Sequence, residues 1–195
     1  MGWTGVSTYG AGFDKKAHLD SMWDNDTLEN GEKKFEVLNH LVYGSTHYQA
    51  IKNNAENNVF AVITLTQMDN REGWFYYKEM SEDMGAFEYK GVTKKFLKLL
   101  SPTDNKYARE WRNKAEAQIE RDAFMRKNLV DGAIVEFNTP ITYQMLGDIT
   151  HGAVVKMRNR NVLEVDGIYA QLPHGWKDKV VAVNGVAAPG IVYPM

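Results

Sequence analysis

Between Phe35 and Met80, four short runs rich in β-branched and aromatic residues follow one another, each bounded by turn residues. Phe35, Val37, Leu41 and Tyr43 alternate with more polar neighbours, and Gly44-Ser45 offers a turn into 46–52. The cluster Asn53-Asn54-Ala55-Glu56-Asn57-Asn58 turns into 59–68, and residues 69–73 turn again into 74–80. Turns this short leave no room for the crossover a parallel pair requires, so neighbouring runs must pair antiparallel. The pattern predicts an antiparallel meander.

Helical signals flank it. Asp14 predicts the N-cap of a short helix reaching Trp23, with Leu19, Met22 and Trp23 on its buried stripe. After the meander, residues 92–100 read as a helix carrying Phe96, Leu97, Leu99 and Leu100. Ser101-Pro102-Thr103-Asp104 then predicts the start of another, running to about Lys127, because serine caps and proline fits the first helical position. Tyr107, Trp111, Ala115 and Ile119 recur every four residues as its apolar stripe. Glu110–Lys114 and Arg112–Glu116 have the spacing for pairs on its exposed face.

Beyond Gly132 the character changes. Residues 133–137, 153–157, 162–165, 168–172 and 180–183 are short β candidates separated by Gly, Pro, Asn and Asp. That spacing predicts a small curled barrel of the SH3 or OB type. The expected fold is therefore α+β. An α+β domain over 1–128 holds the antiparallel meander with packed helices, and a small β-barrel-like domain follows over 129–195.

The composition excludes several chemistries. Aromatic residues make up 12% of the 195, enough to build a packed core. The absence of cysteine removes disulfides, thiolate zinc sites and a cysteine nucleophile together. His18, His40, His47, His151 and His174 include no i,i+4 pair. A calcium loop beginning at Asp24 would place Leu28 and Glu29 where an oxygen ligand and glycine are required. No metal site and no cofactor is expected. Gly-x-Ser-x-Gly and Gly-Lys-Ser/Thr are both missing, so no catalytic residue is assigned. Gly10 and Gly12, just ahead of the first helix, are candidate anion-binding residues through their backbone N–H groups. No basic leader and no run approaching the roughly 20 apolar residues of a membrane span is present, so a cytoplasmic location without a membrane partner is expected.

Charge is unevenly spread. The net is −2, yet residues 1–92 carry −6 and residues 93–195 carry +4. Complementary halves would explain this, as would a basic binding face. Lys156, Arg158 and Arg160 alternate with Val155 and Met157, so one strand would present three cations on one side. Trp176, between Gly175 and Lys177, and the nearby Lys179 could stand beside them. Lys156, Arg158, Arg160, Trp176, Lys177 and Lys179 are therefore the candidate partner-binding residues, a set suited to nucleic acid or an acidic protein surface. The alternative is a solvated hairpin over residues 158–161 with Trp176 in the core.

Met1-Gly2-Trp3-Thr4, Tyr9-Gly10 and Phe13-Asp14-Lys15-Lys16 together resemble the opening of a protein family of phages and conjugative elements of gut bacteria. The likeness continues through Tyr77-Lys78-Glu79-Met80, Asp83-Met84-Gly85, Leu99-Leu100-Ser101-Pro102-Thr103-Asp104, Ala108 and Trp111-Arg112, covering most of residues 1–125. Where that family's Cys-Pro is expected, this chain has Gly91-Val92, so no thiol role carries over. The resemblance implies a setting among the small accessory proteins of mobile elements, which often act against host defences such as restriction and CRISPR. The leading expectation is a non-enzymatic accessory protein that binds a host protein, an anti-defence inhibitor. Two other classes stay open: a nucleic-acid-binding module using the C-terminal barrel, and a nucleotide-sequestering protein or small enzyme with a site near Gly10–Asp14.

Overall fold

The computed structural model describes residues 2–9, 12–24, 26–69 and 73–190. The chain divides into two compact units, Met1–Glu116 and Ala117–Met195. Both are built on antiparallel sheets with few helices, an α+β composition.

In the first unit, β2 (Phe35–Tyr43), β3 (Thr46–Asn53), β4 (Asn58–Asp69) and β5 (Trp74–Ser81) form the expected meander, and β1 (Thr4–Ser7) joins it beside β5. The sheet order is β1-β5-β4-β3-β2. The Gly44-Ser45 turn pairs Tyr43 with Thr46, and from there His40 falls opposite Gln49. One face carries Tyr48, Ile63 and Met80 in a row. Phe96 and Trp111 cover part of that face, with ring centroids 6.3 and 6.4 Å from Tyr48. Hydrogen bonds complete the contact: Trp111 Nε1 donates to the Glu88 carbonyl at 2.8 Å and Tyr48 Oη to that of Lys90 at 2.7 Å. Each aromatic thus buries its ring while its polar tip finds a backbone acceptor.

The helices begin at other residues than the sequence suggests, with one exception. Asp14 does cap α1 (Lys15–Ser21), accepting from the N–H groups of Lys16 and Ala17. The segment before the long helix forms only a four-residue α2 (Lys94–Leu97). The long helix itself, α3 (Lys106–Asn128), starts four residues after Pro102. Asn105 is its cap, its side chain accepting from Tyr107 and Ala108 N–H. Ser101 Oγ is engaged elsewhere, accepting from Val59 N–H of β4 at 2.9 Å. Of the predicted stripe on α3, Trp111 and Ala115 are buried, together with Ala108, whereas Ile119 is half-buried and Tyr107 exposed. Arg112 turns away from Glu116 and pairs with Glu82, described below.

In the second unit, β6 (Ala133–Tyr143), β7 (Gly147–Met157), β8 (Arg160–Val165), β9 (Ile168–Gln171), β10 (Val180–Val183) and β11 (Val186–Ala187) form one sheet ordered β11-β10-β6-β7-β8-β9. Among the described residues no pairing of its edge strands closes it into a barrel. The sheet is nonetheless strongly bent. Between Glu136 and Ile141 the β6–β7 register shifts, and Pro140 lies in that irregular stretch, where its missing N–H removes no ladder bond. Tyr143 Oη of β6 donates to the Gln171 carbonyl of β9 at 2.9 Å, although two strands lie between them in the sheet. A flat sheet would hold those strands about 14 Å apart, so the sheet curls. Its concave side encloses Val135, Phe137, Val154, Leu163, Trp176 and Val180, with Met125 of α3 packed among them.

Candidate functional site

The cations singled out in the sequence do not share a face. β7 ends at Met157, Arg158 occupies the turn with φ of 55°, and Arg160 opens β8. Lys156 faces Asn161 across the hairpin and Met157 faces Arg160. Alternation therefore puts Lys156 and Arg160 on opposite sides of the sheet, a correction to the single-strand reading that follows from the chain reversal at Arg158. Trp176 is also not presented to a partner. It lies in the core of the second unit, with Lys177 Nζ 5.8 Å from its ring centroid. Lys179 is half-buried at the end of the same short 3₁₀ turn, Trp176–Lys179.

Lys177 and Asn161 do meet in a cleft of about 310 Å³ beside the second half of α3. Arg121 and Arg126 line it too, but so do Asp122 and Asp178, which offset most of the positive charge. Arg121 is buried and serves the fold. Its guanidinium donates to the carbonyls of Lys177, Val180 and Pro189, gathering three segments. Of the glycines considered for anion binding, Gly10 lies outside the described residues. Gly12 adopts φ of 82°, a conformation glycine alone takes without strain.

A polar cluster that sequence reasoning missed lies under α1 in the first unit. His40 Nδ1 is 3.1 Å from Asp20 Oδ1, and His40 Nε2 is 2.8 Å from His47 Nδ1. Gln49 Nε2 also donates to Asp20 Oδ1 at 2.8 Å, and Lys16 pairs with the same carboxylate. Burial alone would raise the Asp20 carboxyl; the hydrogen bonds from Lys16, His40 and Gln49 outweigh it and hold it below its usual value. His47 is 2% exposed. Burial, with the positive charges of Lys15 and His40, lowers its imidazole to about 4 against the opposing pull of Asp20. From His47 a row runs across the sheet through Thr64 to Glu79, whose carboxyl burial pushes up. His47 Nε2 and Thr64 Oγ1 have no hydrogen-bond partner among the described residues. The facing nitrogens of His40 and His47 leave no space for a shared metal ion. No group of three or more His, Asp or Glu among the described residues could hold one.

The opposite face of the same sheet carries exposed aromatic surface. Trp74 and Tyr76 stack with ring centroids 6.5 Å apart and planes 29° from parallel. They lie against Gly5 of β1, where a Cβ would stand 3.1 Å from the Tyr76 ring and 3.6 Å from that of Trp74. Glycine there lets both rings lie flat on the edge strand. On the same face, Leu65 and Lys78 pair and open into a groove under Phe87, also lined by Ile63, Met80 and Glu88. Trp74 is 39% exposed and Phe87 56%, and Trp3, just ahead of β1, is 53% exposed. Among the described residues no helix is long and apolar enough to cross a membrane. No protein-family model, no curated protein and no solved structure matches this chain.

Proposed function

We propose that this protein is a non-enzymatic accessory protein of a phage or mobile element that binds a host protein through the aromatic face of its first unit. The observation that carries the reading is the stack of exposed Trp74 on half-buried Tyr76 beside Gly5, on the sheet face that also opens into the groove lined by Phe87. Large rings left in water are a standing cost, and rigid aromatics dominate the energetics of interfaces that cover them. The basic residues fit this role less well, being split between sheet faces and offset by acids in their cleft. The mobile-element setting rests on the resemblance carried by Met1-Gly2-Trp3-Thr4 and Ser101-Pro102-Thr103-Asp104. It makes a cytoplasmic inhibitor of restriction or CRISPR defence the concrete form of the proposal. The curled second sheet is read as a small SH3- or OB-like barrel that supports the chain without forming the grip.

The test is affinity capture from bacterial host lysate, with and without nuclease, using the wild type, a Trp74→Ala variant and a Lys156/Arg158/Arg160 triple alanine variant. A host protein should be retained by the wild type and the triple variant and lost with Trp74→Ala. Retention by Trp74→Ala together with loss in the triple variant would move the interface to the second unit. Capture abolished by nuclease would make nucleic acid the partner.

A further inference from the structure

α1 has seven residues, and only Leu19 of them is buried. A helix so short does not persist without tertiary support. Its polar ties to the sheet converge on one carboxylate: Asp20 Oδ1 meets both His40 of β2 and Gln49 of β3, and Gln49 Nε2 also reaches the Leu19 carbonyl at 3.3 Å. Behind His40 stands His47, nitrogen to nitrogen at 2.8 Å.

That contact restricts how many protons the chain of groups can carry. One of the two facing nitrogens must be an acceptor. With Asp20 ionised, His40 donates from Nδ1, and the His40–His47 contact holds a single proton between Nε2 and Nδ1. One added proton is tolerated, because a charged His40 can donate to a neutral His47, or the reverse. A second is not, since two imidazolium rings would turn N–H against N–H at that distance. The surroundings offer the second charge little relief. Lys15 and Lys16 face the cluster from α1, and His18 lies further along the same helix over Phe75 and Tyr77 of β5. From the sheet the only carboxyl in line is Glu79, beyond Thr64 in the row.

We propose that Asp20, His40 and His47 form a pH-sensitive latch that holds α1 on the sheet and releases it when both histidines are charged. Double protonation forces one ring to rotate. If His40 moves, Asp20 loses its partner on β2. If His47 moves, a charged imidazole leaves its buried position in β3. Either way the His40–Asp20 tie is weakened or the packing beneath it disturbed, leaving α1 held to the sheet by Gln49 and Leu19 alone, while α3 is untouched.

Native-state hydrogen exchange, corrected for the intrinsic pH dependence of exchange, reads this directly. Between about pH 7 and about pH 4, protection of α1 amides should fall at least roughly tenfold relative to α3 amides. In a His47→Gln variant, which keeps a hydrogen-bonding side chain that cannot charge, α1 protection should stay level with α3. Equal protection of α1 and α3 across the range in the wild type would overturn the latch, as would the same relative loss in His47→Gln. Should that variant not fold, ring-nitrogen NMR of the wild type decides. The proposal expects the second histidine proton to be taken up together with the shift of α1 amide signals. Uptake with unmoved α1 signals would refute it.

Discussion

Position 91 illustrates how one side chain, or its absence, sets a local structure. Gly91 has φ of 80°, and a Cβ there would lie 2.3 Å from the Tyr43 ring. Both the left-handed conformation and the lack of space disfavour a side chain here, which accounts for the glycine. His47 is the residue with the clearest solution consequence. Its folded value of about 4 lies below the ordinary 6.5, so the unfolded chain binds more protons between the two. Its contribution to stability is complete above about pH 6.5 and is lost as pH falls towards 4. Asp20, also depressed, acts in the same direction at lower pH, whereas Glu79 acts oppositely because burial raises it. Urea unfolding should therefore show wild-type stability falling more steeply over that range than the stability of His47→Gln; parallel profiles would place His47 in water.

Among elements, the junction of α3 with the first sheet depends on a buried ion pair. Arg112 grips Glu82 with two hydrogen bonds, 2.7 Å from Nε to Oε2 and 2.6 Å from Nη2 to Oε1. Its Nη1 donates to the Ser101 carbonyl at 2.6 Å, and Glu82 Oε1 accepts from Ala61 N–H of β4 at 3.1 Å. Removing one partner strands the other charge, so Glu82→Ala should cost about 3–5 kcal/mol in urea unfolding. Replacing both by leucine should cost clearly less, because no charge is then left alone. The start of this helix is only half legible in the sequence. The serine and proline signals at 101–102 are sound chemistry, but the Ser101 hydroxyl is claimed by Val59 and the cap passes to Asn105. The meander was legible because its turns and alternation are local. Even the His40–Gln49 register follows from the two-residue turn at Gly44-Ser45, placing His40 and His47 on one face. What no local pattern reveals is that Asp20, from a separate helix, closes onto them. The three alternating cations misled because Arg158 reverses the chain, and alternation in sequence is alternation in space only within one strand.

For the whole molecule, charge and exposed apolar surface both favour a protein partner over nucleic acid. The net of −2 and the acidic first 92 residues disfavour a phosphate backbone, for which affinity depends on released counterions. Labelled single- and double-stranded DNA should bind no tighter than roughly micromolar at ~150 mM salt. Sub-micromolar binding that disappears on replacing Lys156, Arg158 and Arg160 with alanine would reverse the assignment.

α3 carries a consequence of its own. The division between units falls after Glu116, inside this helix, with Trp111 and Ala115 serving one core and Met125 the other. Its sequence therefore answers to two selections within 23 residues. A gene fusion or exchange that respects secondary structure, cutting before Lys106 or after Asn128, must take a core residue from one neighbour. A junction that leaves both cores whole must fall in the middle of the helix, near Glu116, where rules that respect secondary structure would never place it.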